Sequence, residues 1–282
     1  RKHVVERYAY RWFNRIIAFR YMDVHGYTGT PVVSPAGLTS TNGLPEVLAA
    51  AKRGEYDSRV FSLRVNDKAK ERIEGLLSGS ILADDPQGLA YGLLLQSECR
   101  FWNRNLPFMF ENVGKEAGRV DELLMPADLL AEGSVLRNAV EVMTPEDCGV
   151  DDPSGNVEII GWLYQYYISE RKNEVMDGFK KNHKAGANEI PAATQLFTPD
   201  WIVRYLVQNT VGRLWMQSHP DSQLYKNWDY YIWPSENDAA GDEDILKIQT
   251  PEDLTVCDPA CGSGHMLTYA FDLLYEIYEE EG

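Results

Sequence analysis

The chain has 282 residues, of which 44% are hydrophobic and 25% charged, the balance of a soluble globular protein long enough for two domains. No run approaches the roughly 18 consecutive apolar residues of a membrane span, and the basic, amphipathic start lacks the apolar region of a secretory signal, so a cytoplasmic protein without a membrane partner is expected. Forty-three acidic against 27 basic residues give a net charge of −16, which opposes a phosphate backbone unless the cations are gathered on one face or DNA is met by other parts of the protein.

In chain order, Val5, Tyr8, Trp12, Ile16 and Phe19 recur at spacings of three and four and predict a helix over 4–22. Arg7, Arg11 and Arg15 form a second stripe on that helix. Such a stripe suits phosphate tracking, but is more commonly a solvated face paired with nearby carboxylates. Helices are expected over 45–54, 67–77, 89–103, 121–124 and 127–131, before the turn-rich run Asp151-Asp152-Pro153-Ser154-Gly155. Residues 157–175 read as one aromatic amphipathic helix, with Trp162, Tyr164, Tyr166 and Tyr167 as core residues. The polar stretch from Gly178 to Asn188, with Lys180, Lys181, His183 and Lys184, has no apolar period and reads as an exposed mobile loop. A helix from Thr198 to about Trp215 follows, then an irregular, partly acidic stretch over 218–249.

The strongest chemical signal comes last. Leu254 to Cys257 is a short apolar run that predicts a strand, followed by Asp258-Pro259-Ala260-Cys261-Gly262-Ser263-Gly264 and a helix with Leu267, Phe271, Leu274 and Tyr278 on one side. Strand, glycine-rich turn and helix together open a Rossmann-like sheet at the place where such sheets bind nucleotides. Gly262 and Gly264 permit a tight turn and close approach of a ligand. The spacing is not that of a dinucleotide fingerprint. Asp258 offers a carboxylate to a cation, and the helix N-terminus offers its positive end to an anion. A ligand with both an ammonium and a carboxylate fits, and the methionine part of S-adenosyl-L-methionine has both. The plain alternative is a structural glycine turn. His265, next in line, reads as a surface or capping residue.

Upstream, Phe197-Thr198-Pro199 reads as a helix start, with Thr198 as N-cap, Pro199 at the first helical position and Asp200 in the first turn. Cys99, Cys148, Cys257 and Cys261 form no CxxC pair, which suits reduced thiols and gives no metal site.

The Asp258–Gly264 turn closely resembles the cofactor motif of the amino-type DNA methyltransferases. The order, with Phe197-Thr198-Pro199 ahead of the glycine turn, resembles the γ-type adenine methyltransferases, in which the Phe-Thr-Pro element packs beside the turn and helps hold the methionine end of the cofactor. Three further segments, Tyr8 to Tyr27, Ile159 to Lys172 and Glu189 to Leu206, are similar to BREX phage-defence methyltransferases of the PglX type. The long interval between Thr198 and Asp258 also departs from type I modification subunits and favours the BREX resemblance. It implies S-adenosyl-L-methionine as cofactor, with Phe197, Thr198, Pro199, Asp258, Pro259, Ala260, Cys261, Gly262 and Gly264 as the binding residues. It also implies double-stranded DNA as substrate and transfer of a methyl group to adenine N6.

The family's catalytic tetrapeptide, Asn/Asp-Pro-Pro-Tyr/Phe, has no counterpart, because no two prolines of this sequence are adjacent. In the family that tetrapeptide holds the adenine amino group and stacks on the flipped base. Arg1 in place of an initiating Met, and a helical pattern still running at Glu281, read as a piece of a longer chain. The expected organisation is a mainly α N-terminal domain over 1–190 and the truncated start of a Rossmann-like α/β methyltransferase domain over 191–282, inactive alone. Two alternatives stand beside it. One is a fused restriction–modification enzyme, and the other a non-enzymatic helical module that docks other BREX subunits or a phage-encoded inhibitor.

Overall fold

A computed structural model describes residues 2–37, 43–110, 118–150, 158–187, 189–194, 197–234, 246–261 and 264–282. Among these, helices and one isolated bridge, between Pro35 and Pro45, make up the regular structure. The mainly helical expectation therefore holds. The chain divides into two compact units, 1–156 and 157–282, so the helices just after residue 157 group with the downstream unit.

In the first unit, α1 (Lys2–Val24) is the spine, and Trp12, Ile16 and Phe19 bury its apolar stripe. The stripe seats only from Trp12 onward, because Val5 stays exposed. After it come α2 (Glu46–Lys52), the single turn α3 (Ser58–Phe61), α4 (Arg64–Ser78) and α5 (Pro86–Trp102). Asp85 caps α5 by accepting from the Gly88 amide at 2.9 Å, as an N-cap Asp ahead of a helix-opening Pro should. The unit ends with α6 (Gly118–Leu123) and α7 (Val135–Val142). Residues 127–131, expected to be helical, are turns instead, with Asp128 at φ +32°.

Two of the three arginines in the stripe of α1 turn inward onto a carboxylate. Arg11 Nη1 and Arg15 Nη2 donate to the two carboxylate oxygens of Asp121 at 3.0 and 2.9 Å, and Trp12 Nε1 donates to the Asp121 carbonyl at 3.0 Å. Arg7 remains exposed. Farther along, Arg20 donates to the Met143 carbonyl and to Ser34 Oγ. Asp23 closes the turn after α1 by accepting from Thr28 Oγ1, Ser34 Oγ and the amides of Val32, Val33 and Ser34. A buried carboxylate with five donors has its desolvation largely offset.

The second unit begins with α8 (Glu158–Tyr167), α9 (Ser169–Lys180) and the short α10 (Ile190–Thr194). The single helix expected over 157–175 is thus two, broken at Ile168, and α9 takes in the first part of the expected polar loop. The side chains of Trp162, Tyr164, Tyr166 and Tyr167, expected in the core, lie outside the described residues. α11 (Asp200–Val207) continues through a π-helical turn, Gln208–Gly212, into α12 (Arg213–Ser218). This rod packs on α13 (His265–Glu281), and the core between them holds Val203, Val207, Trp215, Leu254, Leu273 and Ile277, with Trp228 alongside. Buried Gln208 joins the pieces, donating to Tyr269 Oη at 2.6 Å and accepting from the Tyr230 amide at 2.8 Å.

The structure sets the phase of α13, which the sequence reading left open. Its buried face carries Ala270, Leu273 and Ile277, whereas Phe271 is 66% and Tyr278 45% exposed. Helical periodicity is satisfied equally by either set. The face that packs on α11 is the one whose small and branched residues fit against it.

Candidate cofactor-binding site

The turn after residue 257 is built from its own backbone. Asp258 is half-buried, and its Oδ1 accepts from the Ala260 amide at 2.9 Å, the local bond that makes Asp a turn residue. Its Oδ2 has no partner among the described residues. Pro259, Ala260 and Cys261 are exposed. The Gly264 amide returns to the Cys261 carbonyl at 2.7 Å, and Gly264 sits at φ +81°, a left-handed conformation that any side chain would strain. Gly262, assigned to the site from sequence, lies outside the described residues, as do Ser263, Gln195 and Leu196.

Gly264 is the N-cap of α13, and no side chain among the described residues caps that helix. Its first amides and its positive end face the turn. Among the described residues, then, Asp258 Oδ2 and the start of α13 lie within seven residues of each other without a partner, an acceptor and a set of donors of the kind a zwitterionic amino acid moiety uses. Leu254, the first residue of the expected strand, is extended, but no strand forms over 254–257 among the described residues. A strand of a parallel sheet needs neighbours for its amides and carbonyls.

The Phe197-Thr198-Pro199 segment meets the turn through His265. The His265 imidazole stacks on the Phe197 ring with centroids 4.5 Å apart and planes at 21°, and its Nε2 lies 3.0 Å from the Thr198 carbonyl oxygen. From the other side, Gln165 Oε1 accepts from the Phe197 amide at 3.4 Å, and Glu158 accepts from the Asp200 amide. A Cβ on Gly161 would run into the Phe197 ring, which is 8% exposed. α8 therefore carries a glycine where this ring lies.

Two expectations at this segment are corrected. Thr198 does not cap α11: the cap position belongs to Pro199, and no side chain of that residue can cap. The first free amide of α11 is instead met by the carboxylate of Glu158. His265 is not a surface or capping residue but the link between the two motifs. Sequence periodicity carries no signal for it; the one local sign is a His directly after the glycine turn.

Two cations of the expected polar loop have local partners. Lys180 pairs with Asp177 and His183 with Glu189. Cys99 and Cys148 are buried, and Cys257 and Cys261 exposed, all as free thiols. A cleft of about 1050 Å³ in the first unit, edged by Lys68, Arg72 and Arg100 with Leu89 and Leu93, contains no part of either motif. No helix among the described residues is long and apolar enough to cross a membrane.

Among models of protein families, none matches the chain. It is 40% identical over 289 residues to the adenine-specific methyltransferase BrxX of Escherichia coli O9:H4 (strain HS), and 36% identical over 291 residues to the adenine-specific methyltransferase PglX of Lacticaseibacillus casei (strain Zhang). Both alignments cover 99% of this chain, yet the chain spans 21% and 22% of the two relatives. Over nearly its whole length, then, the chain is similar to about a fifth of each of these two adenine-specific methyltransferases.

Proposed function

We propose that this chain is the N-terminal part of a site-specific DNA adenine N6-methyltransferase that uses S-adenosyl-L-methionine and marks host DNA in BREX phage defence. The observation that carries the reading is the joining of the two motifs. His265, the first helical residue after the glycine turn, holds both the ring of Phe197 and the carbonyl of Thr198. The bound cofactor would supply a methyl group on a sulfonium. Asp258 would accept from the amino acid ammonium, and the start of α13 would face the carboxylate. Phe197, Thr198 and Pro199 would wall the methionine end, with Pro259, Ala260, Cys261, Gly262 and Gly264 providing close backbone approach.

The organisation proposed is a helical domain over 1–190 ahead of the opening of a Rossmann-like methyltransferase domain. The extended backbone at Leu254, which pairs with no strand among the described residues, and the exposed aromatic face of α13, with Phe271 and Tyr278, support it, since a parallel sheet packs helices on its faces. The base-holding tetrapeptide and the DNA contacts then belong to sequence that this chain does not include. That placement also resolves the −16 charge, because double-stranded DNA would be met elsewhere in the protein.

The test is methyl transfer from labelled S-adenosyl-L-methionine to adenine-containing DNA. The complete protein should label the DNA and residues 1–282 alone should not. In the complete protein Asp258→Ala should weaken binding of S-adenosylhomocysteine by about one to two orders of magnitude, the worth of a charge-assisted hydrogen bond. A folded Asp258→Ala protein that binds like wild type would remove the glycine turn from the cofactor site.

A further inference from the structure

The sequence at α13 needs no histidine for helix formation, and His265 is not part of the helix's buried face, which is made by Ala270, Leu273 and Ile277. Yet the His265 side chain is half-buried and makes a defined pair of contacts with a segment 67 residues upstream. A carbonyl oxygen can only accept, so at 3.0 Å from the Thr198 carbonyl the Nε2 of His265 carries the proton. The same ring lies nearly parallel to Phe197, at 21° and 4.5 Å, a separation at which ring pairs add attraction beyond buried area. On its far side Phe197 is fixed by α8, where Gln165 receives its amide hydrogen and Gly161 leaves the space its ring fills. The Phe197–Pro199 segment is thus a strap held between α8 and the first residue after the glycine turn.

We propose that His265 is a positioning residue for the cofactor site. Its Nε2–H bond to Thr198 and its stacking on Phe197 set the distance between the strap and the glycine turn, and so the width of the slot that the methionine end of the cofactor enters. The role rests on the reading that S-adenosyl-L-methionine binds at this turn. His265 touches neither the ammonium nor the carboxylate partner of that reading; it acts through Phe197 and Thr198. Losing it should loosen the slot without opening the core of the unit, because the buried cluster of Val203, Trp215, Leu273 and Ile277 does not include it.

Three substitutions separate the two contacts in the complete protein. His265→Phe keeps a stacking ring and loses the donor, His265→Gln keeps a donor near Nε2 and loses the ring, and His265→Ala loses both. S-adenosylhomocysteine binding is read by calorimetry, with melting temperature alongside and Asp258→Ala as the control. His265→Ala should bind about tenfold more weakly, and the Phe and Gln variants about threefold, the scale of one modest contact each. Melting temperatures should stay at the wild-type value, and in turnover the KM for S-adenosyl-L-methionine should rise while kcat at saturation holds. If Asp258→Ala weakens binding as expected but all three His265 variants bind like wild type, the positioning role is overturned and the cofactor site stands. If Asp258→Ala itself binds like wild type, the cofactor reading fails and takes this role with it. Should His265→Ala fail to fold, the Phe and Gln variants decide: graded loss supports the role, and unchanged affinity overturns it.

Discussion

At the scale of single residues, burial decides what a side chain does more than its type. Glu98 on α5 is 4% exposed, and burial pushes its carboxyl up to about 8, with Asp57 and Asp23 adding to the shift and Arg59 and Trp102 opposing it. A carboxyl whose pKa is raised on folding stabilises the fold fully below the unfolded value of 4.5, and that stability is lost as pH rises through about 8. Glu98→Gln should therefore melt close to wild type at pH 5 and progressively above it toward pH 9. A melting difference that stays flat across that range would mean the carboxylate is solvated. Residues such as Asp258 and Gly264 were legible because turn chemistry is local. His265 was not, since its partners lie 67 residues upstream in the chain.

At the scale of elements, helix existence was legible and helix ends were not. The Thr-Pro-Asp pattern before α11 reads as a self-contained cap, yet the helix begins at Asp200 and its free amide is met by Glu158 of α8. Removing that partner by Glu158→Ala should cost about 1 kcal/mol, the usual worth of an N-cap. Thr198→Ala, which removes no cap, should stay within about 0.5 kcal/mol. Urea unfolding of the two variants ranks them, and equal losses would return the capping role to Thr198. The same limit explains α13, where the period of apolar residues was visible but the choice between the Phe271/Tyr278 face and the Ala270/Leu273/Ile277 face was not. Period is a property of the segment, and phase belongs to whatever it packs against.

At the scale of the whole molecule, long-range pairing explains what becomes of the basic stripe in an acidic chain. Arg11 and Arg15 converge on Asp121 across more than 100 residues, with the Arg15 and Asp121 side chains each 2% exposed. Breaking a buried pair strands a charge, so Asp121→Ala should destabilise the first unit by about 3–5 kcal/mol. A loss near 1 kcal/mol in denaturant unfolding would mark the pair as a surface contact instead. The helical class, the glycine turn and the order of the two motifs were determined by the sequence itself, since periodicity, turn residues and motif spacing act within a few residues of one another. Which arginines are buried, which face of α13 is covered, what caps α11 and how Phe197 reaches the glycine turn were decided only by the tertiary structure. Each of these depends on a partner brought near by packing, and a linear sequence does not contain that distance.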